Sequence, residues 1–122
     1  MSRSRCIPPG LGLALLLWAA GTGAHAFLER ADPRVGSTVR NPPSEVRLWF
    51  TESLEPAFSS VQVVNEPGQR VDNGDGRVDP SDPSVLRISL PSLPPGTYKV
   101  IWRVLSVDSH VTEGDFTYRV AP

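Results

Sequence analysis

Residues 93–105 read Leu-Pro-Pro-Gly-Thr-Tyr-Lys-Val-Ile-Trp-Arg-Val-Leu, and this stretch is the strongest indication of the architecture. A Pro/Gly turn leads into a long extended run that begins at Tyr98 and carries apolar residues on both faces towards its end. In Greek-key sandwiches, a tyrosine near the start of a late strand bonds back to upstream backbone, a feature called the tyrosine corner. Tyr98 is the candidate for that role, which is compatible with ordinary core packing.

Shorter stretches with a period-two pattern lie on both sides of this run. They are residues 45–50, 60–65, 86–90 and 115–120. In the first of them, Val46, Leu48 and Phe50 fall on one face, as expected for a half-buried strand. No segment shows a helical period, and 13 prolines and 10 glycines punctuate the chain. The pattern predicts an all-β sandwich or barrel.

The first two dozen residues have the pattern of a secretory signal. Arg3 and Arg5 precede an apolar run at residues 11–20, and small residues follow. That run is shorter than the roughly 20 residues that a transmembrane helix needs. We therefore expect a cleaved signal peptide at residues 1–24, a single mature domain at residues 25–122, and no membrane insertion after cleavage.

Composition restricts what the mature domain can bind. The only cysteine, Cys6, and the only methionine, Met1, both fall in the predicted signal, so any metal must be held by nitrogen and oxygen. Removing the two signal arginines, with no acid among residues 1–24, changes the formal charge from −1 to −3. Lys99 is the sole lysine. The absence of a basic patch argues against nucleic-acid binding.

The two histidines of the chain are the candidate metal ligands. Cleavage after Ala24 would make His25 the first residue, with both an α-amine and an imidazole to offer. Asp108 and His110 are two residues apart, so on an extended segment both point to the same side. Three nitrogens and one oxygen suit the tetragonal geometry of divalent copper. A lone Asp-x-His is otherwise typical of a polar strand end.

The cleavage position decides whether this site exists. Cleavage after Ala26 would remove His25, whereas cleavage after Thr22 would leave His25 third in a different N-terminal copper motif. Thr22 and Ala24 suit cleavage directly before His25.

Residues 72–84 form an acidic loop rich in glycine and proline. An EF-hand needs oxygen ligands at alternate positions and flanking helices. In the registers that start at Asp72, Asn73 or Asp75, an oxygen ligand is missing at the third or fifth position, and no helix is predicted on either side. The loop is therefore predicted to be a solvated turn rather than a calcium site.

Four blocks of the chain resemble the CopC copper-resistance proteins. They are His-Ala-Phe-Leu at 25–28 with Asp-Pro at 32–33 and Gly-Ser at 36–37, Leu-Trp-Phe-Thr-Glu-Ser-Leu-Glu-Pro-Ala-Phe-Ser at 48–59, Pro-Gly-Thr-Tyr-Lys-Val-Ile-Trp-Arg-Val-Leu-Ser-Val-Asp-Ser-His at 95–110, and the final strand at 114–120. The resemblance implies a seven-stranded Greek-key β-barrel or sandwich, cupredoxin- or immunoglobulin-like. It also implies a periplasmic, non-enzymatic copper carrier.

Carried over by position, the resemblance implies that one Cu(II) ion binds to His25, Asp108 and His110. Glu52 would be a weak extra ligand or would support the ligands from outside; a surface carboxylate at a strand end is an equal interpretation. Trp102 would pack beneath the site, which simple core burial explains nearly as well.

The resemblance has further consequences for the metal and its partner. Some family members bind cuprous copper through a methionine-rich loop, but the corresponding stretch here, about residues 66–84, contains no methionine. We therefore expect a single site for Cu(II) only. The family is associated with an inner-membrane copper importer of the CopD type, which implies a handover in the periplasm from a carrier expected to be monomeric.

Two other functions fit parts of the pattern. An N-terminal histidine chelate with a further histidine also resembles the copper brace of oxidative enzymes, although Asp108 would fill a position that oxygen needs. A structural β-sandwich without a metal would carry the same histidines by chance.

Overall fold

The computed structural model describes residues 26–122; the predicted signal peptide and His25 lie outside the described residues. Within this part the chain forms eight strands and one 3-10 turn. The strands are β1 (Leu28–Asp32), β2 (Thr38–Val39), β3 (Glu45–Phe50), β4 (Ser60–Val64), β5 (Arg77–Asp79), β6 (Asp82–Ser89), β7 (Gly96–Leu105) and β8 (Val111–Val120), and the 3-10 turn is Pro56–Phe58.

The strands form two four-stranded sheets. Their orders are β1-β3-β6-β5 in the first sheet and β2-β8-β7-β4 in the second. The chain crosses between the sheets at every connection except β5 to β6 and β7 to β8, as in a Greek-key sandwich. The predicted all-β fold is confirmed, but there are eight strands rather than seven. The two-residue β2 and three-residue β5 are too short to show a period-two pattern.

Alternating apolar residues build the core between the sheets. Val46, Leu48 and Phe50 of β3 are all buried, as their spacing predicts. They share one cluster with Val100 and Val104, which face inward from β7 in the second sheet. Burying such side chains contributes roughly 1.5–3 kcal/mol each before the entropy of ordering them is subtracted.

The tyrosine corner is confirmed. The Tyr98 hydroxyl donates a hydrogen bond to the carbonyl oxygen of Pro94, four residues upstream. The Tyr98 ring also packs at 5.7 Å from that of Tyr118, which is fully buried in β8. This contact anchors the start of β7, the strand whose far end leads into the predicted site.

The acidic segment 72–84 is only partly the solvated turn that its composition predicts. It contains β5, which pairs antiparallel with β6 at Val78 and Leu86. Val78 packs against the core, and the Asp72 carboxylate accepts hydrogen bonds from the backbone nitrogens of Val63 and Gly74, both at 2.8 Å. The prediction missed this strand because three residues are too few to show a period-two pattern.

Candidate metal centre

The loop that carries the predicted Asp-x-His pair joins the two longest strands of the domain. β7 and β8 pair along ten residues each, up to Leu105 and Val111. The loop is closed by a hydrogen bond from the Ser106 nitrogen to the His110 carbonyl oxygen at 3.0 Å. Inside it, Ser109 has a φ of 74°, in the left-handed region that non-glycine residues seldom adopt. A tight turn therefore presents residues 108–110 at one end of the sandwich.

The structure brings Asp108 and His110 together. Nδ1 of His110 lies 3.4 Å from Oδ1 of Asp108, and the two side chains are 44% and 43% exposed. Two ligands with metal bonds of about 2.0–2.1 Å at a right angle are about 2.9 Å apart, so a small movement would let both bind one ion. The sequence predicted the proximity from an extended segment, whereas a turn produces it here.

Ser106 organises this pair and was not predicted. It is fully buried, its hydroxyl donates to the Asp108 carboxylate, and the His110 backbone nitrogen donates to the hydroxyl oxygen at 3.3 Å. The Ser106 hydroxyl, helped by the imidazole of His110, holds the pKa of Asp108 below its ordinary value. The alternation Ser-x-Asp-x-His at residues 106–110 was the signal that could have identified it.

The first described residues lie beside the same loop. Ala26 is fully buried, and its carbonyl oxygen accepts a hydrogen bond from the Thr112 hydroxyl at 2.7 Å. Phe27 and Thr51 exchange two hydrogen bonds at 3.0 Å, one to the Thr51 hydroxyl and one between backbones. Since Thr112 is two residues from His110, the start of the described chain is fixed next to the Asp108–His110 pair.

Glu52 lies in a segment that runs alongside the loop. The Val107 nitrogen donates to the Ser53 carbonyl oxygen at 3.0 Å, and the Glu55 nitrogen donates to the Leu105 carbonyl oxygen at 2.8 Å. Among residues 26–122, however, no three His, Cys, Asp or Glu side chains are grouped so that they could hold a metal. Glu52 therefore does not complete a three-ligand cluster with the pair, and its predicted role stays a prediction.

Trp102 belongs to the core edge beneath this end. Its ring meets that of Phe50 edge-on at 5.2 Å, and it pairs across the sheet with Gly114. A Cβ on Gly114 would lie 2.7 Å from the Trp102 ring, so glycine is required for this close approach. The buried Nε1 of Trp102 has no hydrogen-bond partner within the described part. Packing is shown for Trp102; a role beneath a bound metal stays a prediction.

The fold and the loop define a small β-sandwich with an aspartate and a histidine, two residue types that can bind metals, side by side at one end. The chain matches the family model described as the CopC domain over residues 28–121, and it belongs to the CopC family. The resemblance found in the sequence is thereby confirmed. No helix within residues 26–122 is long and apolar enough to cross a membrane.

Three similar proteins illustrate the family. Protein YobA of Escherichia coli K12 is 34% identical over 98 residues, covering 80% of this chain and 79% of that one. The crystal structure of CopC from Methylosinus trichosporium OB3b is 36% identical with a TM-score of 0.75, covering 80% and 95% of the two chains. PcoC from Escherichia coli, described as a methionine-rich copper resistance protein, is 32% identical with a TM-score of 0.67, covering 80% and 99%.

Proposed function

We propose that this protein is a periplasmic carrier that binds one Cu(II) ion and holds it for sequestration or delivery. The ligands are the α-amine and imidazole of His25, the Asp108 carboxylate and the His110 imidazole. The carrier performs no chemical step on a substrate. The observation that carries it is the placement of Ala26 beside the loop that pairs Asp108 with His110.

Covalent geometry connects His25 to this placement. His25 is bonded to Ala26, and consecutive Cα atoms are about 3.8 Å apart. The hydrogen bond from the Thr112 hydroxyl holds Ala26 beside Thr112, which follows His110 by two residues in the sequence. A mature chain beginning at His25 would therefore emerge at the end of the sandwich that displays Asp108 and His110, which supports their joint use.

The burial of Ala26 also bears on where the signal peptide is cut. Cleavage after Ala26 would remove a fully buried residue from the core and leave the Thr112 hydroxyl without its acceptor. Loss of a buried partner typically costs about 1–3 kcal/mol. A mature chain that keeps Ala26 is therefore the more stable one, which supports a mature terminus at His25 over one at Phe27.

The donor set suits divalent rather than cuprous copper. Cu(II) favours tetragonal nitrogen and oxygen ligands, whereas Cu(I) favours the sulfur of Cys and Met. The Ser106 hydroxyl keeps Asp108 ionised by lowering its pKa, and an α-amine with an ordinary pKa near 8 loses its proton readily to a metal. PcoC is described as methionine-rich, but this chain has one methionine, Met1, in its predicted signal peptide.

The proposal extends to a handover partner. Membership of the CopC family supports delivery to an inner-membrane importer of the CopD type. The exposure of Asp108 and His110 supports it as well, because a partner's ligands can replace only donors that they can reach. We propose that the carrier acts as a monomer.

Mass spectrometry of the exported protein, with and without Cu(II), tests the site. We expect a chain that begins at His25 and gains one copper ion. Placing one alanine before His25 should weaken copper binding by more than about 100-fold, since the chelate needs the terminal amine. One alanine after Pro122 is the matched control and should change nothing.

Three results would contradict the proposal. The first is a mature chain that begins at Phe27, and the second is unchanged affinity after the N-terminal extension. The third is reductant-driven or peroxide-driven turnover by the copper-loaded protein, which would indicate an oxidative enzyme instead of a carrier.

A further inference from the structure

Exposed apolar side chains gather at the end of the sandwich that displays Asp108 and His110. Among residues 26–122, five large hydrophobic side chains are exposed, and four of these lie at this end. Their exposed fractions run from 46 to 67%; they are Phe27, Phe58, Val107 and Val111. Val35, the fifth, follows β1 at its far end. Single exposed apolar residues are ordinary, whereas a group of them around one site indicates an interaction surface.

Backbone contacts place these four residues around the loop. Val107 and Val111 flank Asp108 and His110 in the chain, and Phe27 pairs with Thr51 one residue before Glu52. Phe58 is the last residue of the 3-10 turn, and its backbone nitrogen donates to the Glu55 carbonyl oxygen. The Glu55 nitrogen donates in turn to the carbonyl oxygen of Leu105, at the end of β7. We call this group the apolar rim.

The same end carries negative charge. Three segments form this end of the sandwich: residues 51–59, 80–84 and 105–112. A hydrogen bond from the Leu54 nitrogen to the Pro83 carbonyl oxygen, at 2.9 Å, joins the first segment to the second. Together the three segments contain Glu52, Glu55, Asp82 and Asp108 but no lysine or arginine. These three segments therefore contribute only acids, while Arg103, two residues before Leu105, forms an ion pair with Glu113 at 3.2 Å, and the segment of Phe27 adds Glu29 and Arg30, whose formal charges cancel.

We propose that the apolar rim and its acids dock a membrane-embedded protein whose facing surface is apolar and basic, and which exchanges copper with the Asp108–His110 loop. This inference rests on the proposed carrier function. Exchange of a metal between two proteins needs their ligands in contact, and a partner seated on the rim covers the loop directly. Complementary charge around an apolar centre is the usual composition of such an interface.

The charges argue against two other occupants. A membrane surface of anionic lipids attracts basic segments, and its negative surface potential repels the acids around the rim. A second copy of this chain would bring two acidic borders together, and like charges across an interface disfavour association. A protein surface that is both apolar and basic would bury the apolar rim and pair with its acids.

Co-sedimentation with membranes tests the proposal. The copper-loaded mature protein is mixed with native inner-membrane vesicles of the source organism and with protein-free liposomes made from the same extracted lipids. The rim variant combines Phe58→Ser with Val107→Thr, and Val35→Thr is the matched control at the far end. A third variant, Glu55→Gln with Asp82→Asn, removes two acids.

We expect wild type and the Val35 control to bind native vesicles at least tenfold more tightly than liposomes. The rim variant should lose at least tenfold. Raising salt should weaken wild-type binding, because exposed charges are screened, and should affect the variant lacking two acids less. Protease treatment of the vesicles should abolish binding.

Several results would overturn the proposal. Equal binding of the rim variant, or no binding of wild type to native vesicles, would remove the docking surface. Equal binding to liposomes would identify lipid as the occupant. A wild-type dimer that the rim variant converts to monomer would identify a second copy. Copper titration of the same samples separates the two proposals: vesicle binding without copper binding contradicts only the carrier function, and the reverse result contradicts only the docking surface.

Discussion

The acidic segment 72–84 and the loop 106–110 both place carboxylates at turns, yet the fold uses them differently. Asp72 accepts hydrogen bonds from the nitrogens of Val63 and Gly74 and pairs with Arg70. Asp75 accepts two from Ser89. Asp108, in contrast, is held by the Ser106 hydroxyl and faces the imidazole of His110.

The comparison shows that a high density of acids does not by itself predict a metal site. In segment 72–84 the carboxylates satisfy backbone donors and arginines of the same chain, which leaves them committed to structure. In loop 106–110 one carboxylate is oriented by a neutral hydroxyl, and a nitrogen ligand lies beside it. The second arrangement is the one that favours a borderline metal such as Cu(II).

The largest expected effect comes from removing a proposed ligand. Asp108→Ala or His110→Ala should weaken Cu(II) binding by more than about 100-fold, because even the loss of a residue that only supports a ligand costs about 10–100-fold. Copper titration measures the change, and Asp75→Ala removes a carboxylate from the other region as the control. Similar losses in all three variants would erase the distinction between the regions.

Asp72→Ala should act on stability instead. The Asp72 side chain is fully buried, and its removal leaves the Val63 and Gly74 nitrogens without their acceptor. We expect the free energy of unfolding to fall by about 2 kcal/mol, with copper affinity unchanged. Urea unfolding measures the first and copper titration the second. Asp115→Ala, an exposed carboxylate on β8, should be nearly neutral; equal losses would contradict the structural role of Asp72.

Ser106→Ala tests how the pair is positioned. The Asp108 carboxylate loses the donor that orients it and lowers its pKa, so copper affinity should fall about tenfold. Ser84→Ala is the control, since the Ser84 hydroxyl also donates to an aspartate two residues away, Asp82, at the start of β6. An unchanged affinity in Ser106→Ala would show that the loop alone positions Asp108.

The smallest expected effect concerns acid stability. Hydrogen bonds from Ser81, aided by Arg87, lower the pKa of Asp79 to about 2, against about 3.9 for an ordinary aspartate. Because the folded-state pKa is lowered, the stabilisation is present above about pH 4 and is lost as the pH falls through 2. Asp79→Asn should therefore lower the urea midpoint slightly at pH 7, and the difference from wild type should shrink as the pH falls through 2. A difference that stays the same from pH 7 to below pH 2 would contradict this cause.

Much of the fold followed from local pattern, because a strand with one buried face must alternate apolar and polar residues. This predicted β3 without error, since Val46, Leu48 and Phe50 are buried as spaced. The turn before Tyr98 likewise predicted the tyrosine corner. Strand β5 was missed because three residues carry too little periodicity, and its pairing with β6 depends on the hairpin as a whole.

Residue types alone specify which atoms this domain can offer a metal: two imidazoles, carboxylates, and no sulfur once the predicted signal is removed. The folded arrangement was needed to see which carboxylates are committed elsewhere, that Ser106 orients Asp108, and that Ala26 lies beside Thr112, 86 residues away in the chain. The reason is that residue type is a local property, whereas hydrogen-bond partners depend on strand register and loop closure, which distant segments set together.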